Sequence, residues 1–306
     1  MWRLWPFRRG LQHGDTQTGG GGDASRRRLF GREYTAGIPY ALPTDLGEMN
    51  RLDFQHYVLR QAFKGNYAAP LQQPGDILDV GSGTGRWAKE MALAFPNAKV
   101  VALDIKEPQV AEEHEATFAG SDLHPANYRF VRANILEGLP FPDAAFDFVH
   151  QRLLFFAIPT DRWQFVVNEL MRVTRPGGWV EIVEGHYGYE PMGPAAQQIS
   201  DAMLPAMLQR GIDPRRSAEL EQFLRDAGLQ QVQQRTVKLP VGDWGGRLGK
   251  LVATDVLGFS QAAKPLLLAR GMSERDVAQL IDTMRSEMDT LRYTWPFYIV
   301  YGQRPS

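Results

Sequence analysis

The residues with the most chemical content lie between Asp79 and Asp104. Asp79-Val80-Gly81-Ser82-Gly83-Thr84-Gly85 closes the short apolar run Ile77 to Val80 with three alternating glycines. Glycines there let the chain turn tightly and bring its backbone close to a ligand, while a helix starting at Arg86 points its free N–H groups at the same place. Asp104 ends a second apolar run 19 residues after Gly85. From a strand end a carboxylate can accept both hydroxyl hydrogens of a ribose, although a solvated strand-end aspartate would look the same in sequence. A dinucleotide would call for a third glycine where Arg86 stands, so the spacing favours a smaller nucleoside over NAD(P).

His150 and His186 are the candidate bases, since histidine titrates near neutral pH and both are expected just past strand ends at the ligand cleft. Glu184 and Arg152 accompany them, but strand ends gather polar side chains for ordinary reasons, so packing or surface roles compete. No H-x-x-x-H or clustered aspartates argue for a metal. Tyr187, Tyr189, Trp244, Phe259, Tyr293 and Trp295, with the Met-rich stretch Met192 to Met207, can roof an apolar pocket or form a plain packed cap.

The elements that must position these groups follow from periodicity. Pro43-Thr44-Asp45 starts a helix carrying Leu46, Met49, Leu52, Asp53, His56, Leu59 and Phe63. Strands are expected at Ile77 to Val80, Lys99 to Asp104, Tyr128 to Ala133, Phe146 to His150 and Trp179 to Glu184, with helices at Arg86 to Ala94 and Trp163 to Val173. This alternation predicts an α/β fold with a parallel, doubly wound sheet. Ala218 to Asp226 reads as a further helix, and late strands at Gln231 to Leu239 and Trp295 to Tyr301 suggest an antiparallel pair at the sheet edge. Insertions are expected at about 185–216 and 241–292.

With 306 residues, 43% apolar and 23% charged, the composition is that of an ordinary globular protein. The net charge of -1 gives no reason to expect nucleic acid as a partner. Residues 1–33 hold seven arginines against three acids and a glycine run, which reads as a disordered basic tail, with contact to a membrane surface as the alternative. The absence of cysteine excludes disulfides, thiolate metal sites and a cysteine nucleophile. No apolar run is long enough to span a membrane and no secretory signal is evident, so a cytoplasmic location is expected.

Five motifs in order, D-V-G-S-G-T-G, V-V-A-L-D, R-A-N-I, F-D-F-V and R-P-G-G-W-V, resemble those of class I S-adenosylmethionine-dependent methyltransferases across residues 76–184. The resemblance implies a Rossmann-like seven-stranded sheet of order 3-2-1-4-5-7-6 whose last strand is antiparallel. It implies S-adenosylmethionine as cofactor. Asp79, Gly81, Ser82, Gly83 and Gly85 would face its methionine end, Asp104 with Ile105 the ribose, Asn134 with Ile135 the adenine, and Gln151 the sulfonium or ribose. An aspartate is common at the Asn134 position, though an amide oxygen can also accept from an adenine amino group.

A second resemblance runs from Tyr40 to His56 (Y-x-L-P-x-D-x-x-E-x-x-R-L-D-x-Q-H), joined by F-D-F-V-H-Q-R at Phe146 to Arg152. It is similar to a subgroup that includes regulators of fungal secondary metabolism and bacterial relatives. On this reading residues 34–70 form a helical extension over the cofactor cleft and residues 71–306 the methyltransferase domain. Tyr40, His56, Arg152, Glu184 and Tyr187 are the expected substrate-pocket residues. The expected activity is in-line methyl transfer to a small, fairly hydrophobic metabolite; the alternatives are a regulatory protein that binds the cofactor without turnover, and an NAD(P)-dependent oxidoreductase.

Overall fold

The computed structural model describes residues 26–29, 32–35, 45–107 and 125–306. Strands β1 (Arg26–Leu29) and β2 (Arg32–Thr35) pair antiparallel with Arg28 opposite Glu33 and Arg27 opposite Tyr34. These residues fall partly within the stretch expected to be a tail. The rest of that tail, and Tyr40, lie outside the described residues.

Helix α1 (Leu46–Phe63) begins where Asp45 accepts a hydrogen bond from the Glu48 N–H, and ends at Lys64 in the left-handed conformation. The alternating part then runs β3 (Asp76–Val80), α2 (Arg86–Ala94), β4 (Lys99–Asp104), β5 (Tyr128–Arg132), β6 (Phe146–Arg152), α3 (Trp163–Val173) and β7 (Thr174–Gly185). After it come α4 (Pro194–Leu208), α5 (Leu220–Asp226), β8 (Gln230–Pro240), α6 (Gly246–Leu268), α7 (Glu274–Thr290) and β9 (Thr294–Gln303).

The main sheet has the order β5-β4-β3-β6-β7-β9-β8, parallel from β5 to β7, with β9 antiparallel to both neighbours. This is the order the resemblance implied. The chain leaves β3 for β4 on one side and returns to β6 on the other, so the carboxyl end of β3 is the switch point where open α/β sheets bind ligands.

Strand alternation splits the core between two faces. Leu78, Val80, Val149 and Ile182 pack with α3 and α5 on one face, while Ile77, Ala102 and Phe148 meet Trp87, Ala88 and Met91 of α2 on the other. A third cluster joins α1, α4, α6 and α7 into a helical cap over the β7–β9 end of the sheet. Among the described residues no helix is long and apolar enough to cross a membrane.

Candidate cofactor and acceptor site

The glycine loop is tied to β4. Gly81 and Ser82 donate their N–H groups to the Leu103 carbonyl at 2.8 and 3.0 Å, and Gly83 donates to Asp104 Oδ2 at 2.9 Å. Gly81 has φ +69°, and a Cβ there would lie 2.5 Å from Leu154 Cδ2. Gly85 has φ +73° with the Tyr128 hydroxyl 2.8 Å from where its Cβ would be. Any side chain at either position meets both backbone strain and a clash. The start of α2 carries neither a side-chain cap nor an acid in its first turn, which leaves its N–H groups and positive dipole end for an anionic ligand group.

Beside the loop lies a cavity of about 210 Å³. Asp79, Gly81, Ser82, Gly83, Asp104, Ile105, Asn134 and Ile135 all line it. Burial pushes the Asp104 carboxyl above its usual range, against the stabilising N–H bonds from Gly83 and Lys106. Asn134 Oδ1 caps a short 3-10 turn by accepting from the Leu136 N–H, while its Nδ2 donates to Glu137. Gly85 stands behind the lining and provides the turn into α2.

Two sequence expectations need correction because β6 extends two residues beyond His150. His150 does not follow the strand end: it is inside β6, on the α2 face, stacked on Trp87 with ring centroids 3.8 Å apart. Its Nδ1 is 3.1 Å from Asp79 Oδ1, and its buried Nε2 has no hydrogen-bond partner. Burial lowers its pKa despite Asp79, so the ring is neutral at pH 7. Gln151, one residue on, points by alternation to the opposite face, fully buried beside Glu184 and away from the cavity lining.

Arg152 returns to the α2 face. Its Nη2 donates to His56 Nδ1 at 2.9 Å, which places the His56 proton on Nε2, 3.1 Å from Glu90 Oε2. Burial lowers the His56 pKa, consistent with a neutral ring. His56 and Arg152 thus belong to the wall of the first cavity and clamp α1 against α2, with Arg60 adding a second contact to Glu90. Sequence reading missed Glu90 and Trp87 because an acid and an aromatic at helical spacing look like a surface charge and a core residue.

A second cavity of about 110 Å³ adjoins the first, sharing Leu52, Gln55 and Leu153 as the wall between them. Glu184, His186 and Tyr187 line this one. Tyr189, Phe259, Trp295 and Met203 join them, so four of the six expected aromatic residues and one methionine of the Met192 to Met207 stretch reach the pocket. Tyr293 instead lies buried behind Tyr189, their rings stacked at 5.5 Å, and Trp244 is 39% exposed. His186 Nδ1 is 3.2 Å from the Tyr298 hydroxyl, and burial lowers its pKa. The two candidate bases therefore occupy different cavities.

α1 contributes residues to the walls of both cavities. Arg51 donates to Glu48 Oε1 at 2.6 Å and to Asp255 Oδ1 of α6 at 3.1 Å, and Gln55 donates to Asp255 Oδ2 at 2.9 Å. The segment after α1 is anchored by Glu181 of β7, whose Oε2 accepts from the Ala68 and Ala69 N–H groups at 2.7 Å each.

The first cavity suits S-adenosylmethionine. An uncapped helix start could receive its carboxylate and the Asp104 carboxyl its ribose hydroxyls, and Ile105, Ile135 and Asn134 of the lining could hold a flat base with a polar edge. A family described as a methyltransferase domain matches residues 77–178. The chain is 33% identical over 237 residues to methyltransferase str3 of Strobilurus tenacellus, covering 74% of this chain and 80% of that protein. It is 26% identical to N-methyltransferase gliN of Aspergillus fumigatus, covering 87% of this chain and 96% of that one. In fold it is similar to Haemonchus contortus phosphoethanolamine N-methyltransferase 2, solved in complex with S-adenosyl-L-methionine, at a TM-score of 0.50 and 16% identity. That match covers 84% of this chain and spans about half, 52%, of the other. Sheet order, glycine loop, strand-end aspartate and a relative matched over most of its length agree, and the chain belongs to the class I S-adenosylmethionine-dependent methyltransferases.

Proposed function

We propose that this methyltransferase transfers the methyl group in line to a small, fairly hydrophobic metabolite held in the second cavity. The observation that carries the reading is the shared wall: Leu52, Gln55 and Leu153 border both cavities, so a ligand in each would meet there. Asp104 would hold the ribose, the first turn of α2 the amino-acid carboxylate, and Asn134 with Ile135 the adenine. S-adenosylmethionine brings an already activated methyl group, so the chain's task is to orient the acceptor and exclude water. The aromatic lining from Tyr187, Tyr189, Phe259 and Trp295 suits an apolar skeleton, and α1 covers the junction. His150, fixed between Asp79 and Trp87, serves to orient Asp79 rather than to meet the acceptor.

The test is turnover against a panel of small aromatic alcohols and amines, read as release of S-adenosylhomocysteine. Ser200 lines the second cavity, and Ser200→Trp should abolish turnover while leaving S-adenosylhomocysteine affinity within twofold. A variant that keeps turnover would move the acceptor elsewhere. Cofactor binding with no turnover across the panel would favour the regulatory reading.

A further inference from the structure

Glu184 is the buried acid on the wall of the second cavity. Its Oε1 accepts from the Leu154 N–H at 2.8 Å, while its Oε2 is buried without a well-formed hydrogen bond, as are both amide atoms of the adjacent Gln151. The cations nearby hydrogen-bond other groups, and Arg152 reaches Glu184 only through its charge. Arg152 gives its Nη2 to His56 on the other face of the sheet, Arg51 donates to Glu48 and Asp255, and burial keeps His186 neutral. The same cavity is lined by Tyr187, Tyr189 and Phe259, and aromatic rings attract positive charge through their π faces. A buried carboxyl with no salt-bridge partner, on the wall of a cavity that aromatic residues also line, is a recognition site for a cationic nitrogen.

Resting on the reading of this cavity as the acceptor site, we propose that the acceptor is a basic amine whose nitrogen lies against Glu184, and that Glu184 takes the proton this nitrogen must lose before methylation. An ammonium has no lone pair. When its N–H bond breaks, the proton passes to Glu184 Oε2 and the freed lone pair forms the new N–C bond. The methyl group's S–C bond breaks with its electron pair going to sulfur. A sulfonium and a neutral amine thereby become a thioether and an N-methylammonium, which leaves for solvent while Glu184 returns its proton there. A positive sulfur across the Leu52 and Leu153 wall disfavours a second cation at the nitrogen and so drives the proton onto the carboxyl. Burial raises the Glu184 pKa to about 8, which brings it close to that of an amine and leaves it far too weak to strip an aliphatic alcohol.

The experiment is calorimetry on the full chain saturated with S-adenosylhomocysteine, using benzylamine and benzyl alcohol as probes of equal skeleton. Wild type should bind benzylamine at least tenfold more tightly than benzyl alcohol. At pH 7 it should release close to one proton per amine bound, read from the heats in phosphate and Tris buffers, because the neutral carboxyl ionises against the ammonium. Glu184→Gln should abolish both the preference and the proton release, while benzyl alcohol and S-adenosylhomocysteine bind as in wild type, which also reports that the variant is folded. Equal affinity for the two probes in wild type, or a preference that survives Glu184→Gln, overturns the amine proposal and leaves the acceptor cavity standing. If neither probe binds although S-adenosylhomocysteine does, the acceptor-site reading falls as well.

Discussion

Gly81 answers to two constraints at once: a left-handed φ of +69° and the Leu154 side chain filling the space a Cβ would need. Gly81→Ala should therefore destabilise by about 2–5 kcal/mol, adding left-handed strain to overpacking, as read by urea denaturation. Gly83 has φ +55° and its nearest neighbour, Leu52 Cδ1, at 3.7 Å, so Gly83→Ala should cost only the strain, about 1–2 kcal/mol. Residue-level placement was legible where backbone geometry decided it, as in the loop from Gly81 to Gly85 and the strand-end Asp104. Where side-chain direction decided, a single position mattered. Continuing β6 by two residues moves His150 onto the Trp87 face and Gln151 onto the Glu184 face, and the short apolar run gave no sign of where the strand would stop.

Helix α1 shows what can be read about an element and what cannot. Its start at Asp45 and its apolar positions follow from capping and periodicity, but its partners come from residues some 200 positions away. Arg51 sits between Glu48 and Asp255, both of which are almost wholly buried. Arg51→Met should cost about 3–5 kcal/mol, because two buried acids lose their cation; Asp255→Asn in the same chain should recover part of that loss. Hydrogen exchange should localise the effect, with α1 amides in Arg51→Met exchanging at least tenfold faster than those of α3, and equal exchange would detach α1 from the α6 cap. The cap insertions were legible as helix-rich segments between late strands. Which of their aromatic residues reach the pocket was not, since Tyr293 and Tyr189 differ only in which one the other shields.

Across the whole molecule, burying acids on β7 makes stability depend on pH. Glu181 is raised from 4.5 to about 7, with burial as the main cause. A carboxyl whose folded pKa is raised binds more protons folded than unfolded, so its stability is fully present below pH 4.5 and is lost as pH rises toward 7. Glu181→Gln removes that dependence. Its stability relative to wild type should improve between pH 4.5 and 7 by on the order of 3 kcal/mol, measured by denaturation at each pH; a pH-independent difference would show that Glu181 does not titrate in that window. The overall architecture was the most legible level, because alternating buried strands and amphipathic helices admit few right-handed, doubly wound arrangements. The central claim is that the loop tied to β4 and the Asp104 carboxyl hold the nucleoside. Calorimetric titration of S-adenosylhomocysteine into wild type and Asp104→Ala tests it most directly. One ligand should bind per wild-type chain, and the variant should bind it about 10- to 100-fold more weakly, as expected for losing hydrogen bonds to a charged group. Equal affinity in two folded proteins would contradict the account.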